Sequence, residues 1–286
     1  MSVGTPEQFL KRIGASVIAI TGGFFLVDKN GEDDGDMLTF ACSAFAMSFG
    51  GVPVLVTAGH VIDDVLDPII VKGEYKGRKL RVEQINLLDC FGENPKVKVP
   101  IPFPVYPNLR RGSIDESLKR DSMGLDFGII FLPNLYWDGF FANDGRILAE
   151  DMWAEEDEAF DMFKMVGIPA EPEHIKNMSG RIGVYSFLEA TDPDVPLHHG
   201  KPIWFVGNMP IGVDTVAGVG GGPIFGLRKT ENGWEHKIVA MQSWQREGKN
   251  GLIYGTRLRR FAPVITAAIA SMMQPDDLEQ QAGQQG

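Results

Sequence analysis

Gly218-Val219-Gly220-Gly221-Gly222-Pro223 is the stretch on which the reading of this chain turns. Glycines crowded into a short run and closed by a proline describe a tight loop that leads into a strand. Two phosphate-binding loops are glycine-rich in a comparable way, and neither fits. A dinucleotide fingerprint needs a glycine where Pro223 stands and a helix after it, and no helical pattern follows. A P-loop needs a Lys-Ser/Thr pair, which is also missing. A plain Gly-rich turn remains as the bland alternative.

Two further segments carry chemistry. In Leu55-Val56-Thr57-Ala58-Gly59-His60-Val61 an apolar strand ends on a histidine, and Val61-Ile62-Asp63-Asp64 reads as a helical turn. In Leu125-Asp126-Phe127-Gly128-Ile129-Ile130 an acid lies inside an apolar run. A buried, unpaired carboxylate is very costly, so Asp126 needs a hydrogen-bond donor. His60 Nδ1–H would supply it. The bland readings are a surface or core histidine and a strand-edge aspartate.

Outward from these motifs the period is that of strands. Residues 16–20, 24–27, 38–48, 52–56, 69–71, 80–88, 127–131, 160–166, 203–206, 223–227, 238–242 and 252–256 are rich in β-branched and aromatic residues, with Gly- and Asp-rich turns between them. Many short strands and few helical stretches predict an all-β barrel or sandwich. Thr5-Pro6-Glu7-Gln8 starts a short N-terminal helix ending near Ile13. Val264, Ile265, Ala268, Ile269 and Met272 are spaced for a C-terminal helix. An acidic, aromatic stretch from Trp137 to Glu158 separates the halves, with a helix expected near Ile147 to Trp153.

Together the three motifs resemble, in order, those of the trypsin-like serine peptidases, over roughly residues 14 to 260. Thr57-Ala58-Gly59-His60 is similar to the segment that carries the base, and Asp126 lies where the orienting aspartate does. Gly218 to Pro223 is similar to G-x-S-G-G-P, with Gly220 where the nucleophilic serine should be. The resemblance implies two six-stranded antiparallel β-barrels with a short N-terminal and a C-terminal helix. Residues 1–150 would form the helix and first barrel, carrying His60 and Asp126. Residues 151–274 would form the second barrel and last helix, and 275–286 a disordered tail. It further implies His60 as base, Asp126 as orienter, and Gly218 and Gly220 as oxyanion-hole donors. Gln242-Ser243-Trp244-Gln245 is similar to the S-W-G wall of the substrate groove. Ser243, Trp244 and Gln245 would line the site there, with Gln245 in place of a small glycine narrowing it. Asp214, six positions before Gly220, stands where relatives selective for Lys or Arg carry an acid; the alternative is a solvated loop aspartate. Val219 replaces the aspartate of zymogen-activated relatives, so assembly without cleavage is expected.

The function implied is that of a serine endopeptidase homologue, built to hydrolyse peptide bonds by a His-Asp-Ser triad and inactive as it stands. Loss of a nucleophile costs about 10⁶-fold in turnover. The alternative is a natural pseudopeptidase acting as a peptide- or protein-binding module; a bare scaffold with a closed cleft has no physical need for a buried His–Asp pair.

Gross composition bounds the rest. The 286 residues are 44% hydrophobic and 23% charged, enough for a sizeable core. A net charge of −11 argues against a general nucleic-acid binder. The basic clusters Lys72, Lys76, Arg78, Lys79, Arg81 and Arg110, Arg111, Lys119, Arg120 read as solvated hairpins and loops. His198-His199 has no spacing that completes a zinc site, and His174 and His236 lie in polar sequence surroundings. No cofactor, metal, nucleic acid or membrane partner is expected, and the expected partner is an extended polypeptide. The two cysteines, Cys42 and Cys90, contrast with the several disulfides of secreted relatives and suggest a reducing, cytoplasmic setting; a single bridge between them stays open. Lys11-Arg12 and the apolar run after it superficially match a signal peptide, but polar residues interrupt the run and no small-residue cleavage site follows.

Overall fold

β-branched and aromatic side chains fill Val17–Leu26, Leu38–Phe49 and Val52–Thr57, and these pair in turn as the antiparallel strands β1, β2 and β3. The computed structural model describes residues 9, 11, 13–89, 101–102, 108–111, 124–169, 182–248 and 251–272. After β3 come β4 (Glu74–Tyr75), β5 (Arg78–Asp89), β6 (Ile101–Pro102), β7 (Asn108–Arg111) and β8 (Gly128–Phe131). Six of the strands lie in the order β5-β1-β2-β3-β8-β7, and the two-residue strands β4 and β6 add to β5. The second half contributes β9 (Met162–Gly167), β10 (Gly183–Phe187), β11 (Leu197–His198), β12 (Lys201–Pro202), β13 (Trp204–Asn208), β14 (Pro223–Thr230), β15 (Gly233–Arg246) and β16 (Leu252–Arg257). Its sheet has six strands in the order β10-β9-β14-β15-β16-β13, with β11–β12 a separate hairpin. The chain is thus mostly β, two antiparallel sheets with few helices, in agreement with the double barrel expected.

Three local expectations are corrected. Residues 16–20 and 24–27 form one strand, β1, not two. Gly22 and Gly23 sit inside it beside a register shift, where a Cβ on Gly22 would lie 2.6 Å from the Phe40 ring. The strand expected at 69–71 is the end of a π-helix, Ile62–Lys72, whose Ile62, Leu66 and Ile69 are buried. The helix expected near 147–153 lies instead at Asn134–Ala142. Residues 147–153 are extended apart from a turn at Glu150–Met152, because they are claimed by both sheets. Leu148 bridges to Met47 of β2, and Trp153 to Ile238 of β15.

The described part of the N-terminal segment is helical at Phe9, Lys11 and Ile13, and Leu258–Met272 forms the C-terminal helix. Its Phe261 stacks on Phe127 at the end of the first sheet, with ring centroids 5.3 Å apart. One apolar core joins Phe45, Leu55 and Ile130 of the first sheet to Phe225, Ile238 and Met241 of the second. The Thr5 helix start, Cys90, His174, Lys119, Arg120 and the tail 275–286 lie outside the described residues. His236 is not in polar surroundings but buried, edge-on to Phe9 and tilted against Phe225. Several residues of the first basic cluster are matched by acids, with Arg81 on Asp33 and Glu83, Arg78 on Asp34 and Lys72 on Asp67.

Candidate active site

Strand β3 delivers His60 to the cleft between the sheets. It ends at Thr57, Ala58 is extended, and Gly59–Val61 begins the helical turn. Asp126 arrives just before β8, which pairs with β3 through Thr57↔Gly128. The acid meets the histidine twice. The His60 backbone N–H donates to Oδ1 at 2.9 Å, and Nδ1–H donates to Oδ2 at 2.8 Å. This approach requires glycine at 59, because a Cβ there would lie 2.8 Å from Asp126 Oδ1. The Asp126 side chain is 4% exposed and that of His60 32%. With Nδ1 protonated against a carboxylate, Nε2 is left as the acceptor, facing open cleft.

Nε2 faces Gly220. A Cβ built on Gly220 would lie 3.1 Å from His60 Nε2 and 3.5 Å from Gln242 Oε1. The next glycine differs in kind. Gly221 has φ +86°, and a Cβ there would collide with Thr57 Oγ1 and the Ser43 carbonyl. Gly220 has neither constraint; a side chain needs only a few tenths of an ångström from a half-exposed imidazole. The backbone therefore dictates glycine at 221 but not at 220.

The loop leaves two donors unpartnered. Val219 N–H donates to Val216, Gly221 N–H to Gln242 and Gly222 N–H to Val219, and Pro223 has no N–H. Among the described residues the N–H groups of Gly218 and Gly220 have no acceptor, and both residues are partly exposed. Alternate donors in one tight loop can hold an oxygen that carries negative charge.

Two supporting residues, Ser43 and Thr256, escaped the sequence reading, and Gln242 entered it only as the first residue of the wall segment. Ser43 Oγ donates to the Gly218 carbonyl at 3.0 Å and accepts from Ile168 N–H at 2.8 Å, tying β2 to the glycine loop. Thr256 Oγ1 contacts both the N–H and the carbonyl of Asp126, each at 3.2 Å. Gln242 is 3% exposed, and its Oε1 is buried with no hydrogen-bond partner among the described residues. The first two contacts span 175 and 130 positions, beyond the reach of any local pattern.

The wall residues divide. Ser243 lines the cleft, but its hydroxyl bonds Thr256 Oγ1 at 2.9 Å. Trp244 is 43% exposed at the cleft edge and lies flat on Tyr254, with centroids 3.6 Å apart. Gln245 crosses the mouth. It accepts from Val216 N–H at 2.7 Å and donates to Thr215 Oγ1 at 2.7 Å. The last pairing of β15 with β14 is Met241↔Pro223, and Gln242 exchanges backbone bonds with Gly221 and Gly222, so beyond Gln242 no described strand covers the cleft side of β15. Asp214 is exposed and is not among the residues lining the cleft, so it is not brought together with the others. The cleft encloses about 380 Å³, and its lining, which includes Cys42, His60, Val216, Gly218, Gly220 and Gln242, contains no Asp, Glu, Lys or Arg among the described residues.

The Cys42 thiol is no substitute nucleophile, since burial pushes it up to about 12 and the thiolate is the reactive form. Its expected partner Cys90 lies outside the described residues. Among the described residues no three metal-ligating side chains converge, and no helix is long and apolar enough to cross a membrane.

Comparison with solved structures places this architecture. A scabies mite inactivated protease paralogue matches with a TM-score of 0.50 at 10% identity, over 94% of this chain and 99% of that one. The fold is that of the trypsin-like serine proteases. A thermostable serine protease, AL20, from an extremophilic microorganism aligns with a TM-score of 0.47 at 15% identity, covering 87% of this chain and 95% of its own. The protease Anisep from Arthrobacter nicotinovorans gives 0.45 at 14%, over 86% and 94%. No protein-family model matches the chain, and no protein of curated function matches it in sequence.

Proposed function

We propose that this chain is a serine endopeptidase homologue whose peptide-bond cleavage is lost at Gly220, and whose cleft still holds an extended polypeptide. The observation that carries this reading is the direction of the absent side chain, 3.1 Å from a His60 Nε2 that Asp126 already orients. A base, an orienting acid and two unpartnered N–H groups surround the one position that has no oxygen. In the corresponding chemistry a serine hydroxyl at 220 attacks the carbonyl carbon and gives its proton to Nε2. The carbonyl oxygen becomes an oxyanion on the Gly218 and Gly220 N–H groups, and the leaving amine takes the proton back. Without the hydroxyl, the remaining groups bind and polarise but do not attack. The open side of β15 beyond Gln242 offers backbone groups to which an extended chain adds as a strand.

The neutral lining of the cleft favours a neutral first side chain over Lys or Arg, since Asp214 stays outside. The test is fluorophosphonate labelling and peptide-library cleavage, with the chain and its Gly220→Ser form side by side. Labelling and cleavage by the serine form alone is the expected result. Silence of a folded serine form would overturn the lost-peptidase reading.

A further inference from the structure

The cleft has one more place for an oxygen than a working peptidase leaves to its substrate. Gly218 and Gly220 present two N–H groups that have no acceptor among the described residues, and one carbonyl oxygen of a bound chain would satisfy them. Beside them lies the space that a side chain at 220 would fill, within reach of His60 Nε2 and Gln242 Oε1. Gln242 is more than nine-tenths buried, its Oε1 is buried with no hydrogen-bond partner among the described residues, and the residue borders this space. A buried amide oxygen without a partner is destabilising. A peptide carbonyl has one oxygen; a carboxylate has two.

We propose that the cleft captures the C-terminal carboxylate of an extended polypeptide. One oxygen rests on the N–H groups of Gly218 and Gly220, and the other takes the place of the missing side chain. The inference rests on the peptide-holding reading above and specifies which part of the peptide is read. Gln242 donates through its N–H₂ group, which half a turn of the amide puts where its oxygen now faces. A proton shared between His60 Nε2 and the ligand's second oxygen makes this contact a hydrogen bond. Asp126 holds the other ring nitrogen, Nδ1, at 2.8 Å. Among the described residues no acid lines the cleft to repel the ligand. The Cys42 thiol, which also lines it, stays protonated, pushed up to about 12 by burial.

The test uses a library of N-acetylated hexapeptides, each made as the free acid and as the C-terminal amide, titrated against the full chain. Free acids are expected to bind at least about tenfold more tightly than their amides, the scale of a charge-assisted hydrogen bond. Calorimetry in buffers of different ionisation enthalpy should show a proton taken up on binding. The acid-over-amide preference should disappear in Gly220→Ser, which fills the second place, and independently in Gln242→Leu, which removes the carboxamide at similar volume. Equal binding of acids and amides would overturn carboxylate capture and leave the peptide-holding reading standing. Binding of neither, with the protein folded, would sink both.

Discussion

At position 220 glycine is a chemical fact and at 221 a geometric one, and the two make opposite predictions. Gly220→Ser should be accepted with a small shift of His60. Gly221→Ala forces a Cβ into Thr57 Oγ1 and the Ser43 carbonyl at a positive φ, and should cost more than about 2 kcal/mol in urea unfolding. In the Gly220→Ser background, Asp126→Asn should slow fluorophosphonate labelling by about 10⁴-fold, because the wrong imidazole tautomer is then held. Thr256→Val removes the hydroxyl that touches the Asp126 backbone and Ser243, and a loss of about 1–3 kcal/mol is expected, read by the same unfolding assay. The histidine, the acid and the gap were legible because each sits in a short motif. Ser43 and Thr256 were not, because their partners are brought close only by the finished fold. Asp214 shows the converse: counting positions put it near the pocket, while the loop carries it out to solvent.

Elements were legible where periodicity and burial agreed. Strands β2, β3, β14 and β16 begin where the β-branched and aromatic pattern begins. The pattern failed where a short apolar run is ambiguous between strand and helix, as in Ile69-Ile70-Val71 at the end of the π-helix. It failed again where tertiary pairing overrode local preference, as at Leu148 and Trp153. The π-helix begins at Ile62, directly after the Gly59–Val61 turn that carries His60. Gln245 links the β15 wall to the 215–216 loop. Gln245→Gly removes both bonds and opens the mouth. Peptide association is expected to become about tenfold faster by stopped-flow fluorescence, with little change in unfolding midpoint.

For the molecule as a whole, the apolar core that joins Phe45 and Leu55 to Phe225 and Met241 makes the two sheets parts of one folding unit. A single calorimetric transition is expected, in place of one for each half. Phe225→Ala, deep in the shared core, should lower the stability of both sheets together by about 3–5 kcal/mol. The segment between the sheets is stitched on both flanks: Arg146 N–H bonds Ala15 and Leu148 N–H bonds Ala46 on one side, while Ala154 N–H bonds Ile238 on the other. A chain cut at Asn143-Asp144 would therefore yield two fragments that reassemble without a covalent link. Neither fragment would hold a site alone, since His60 and Asp126 travel with one and the glycine loop with the other. Produced separately, they would act as the halves of a split protein, recovering ligand binding only when the pieces meet.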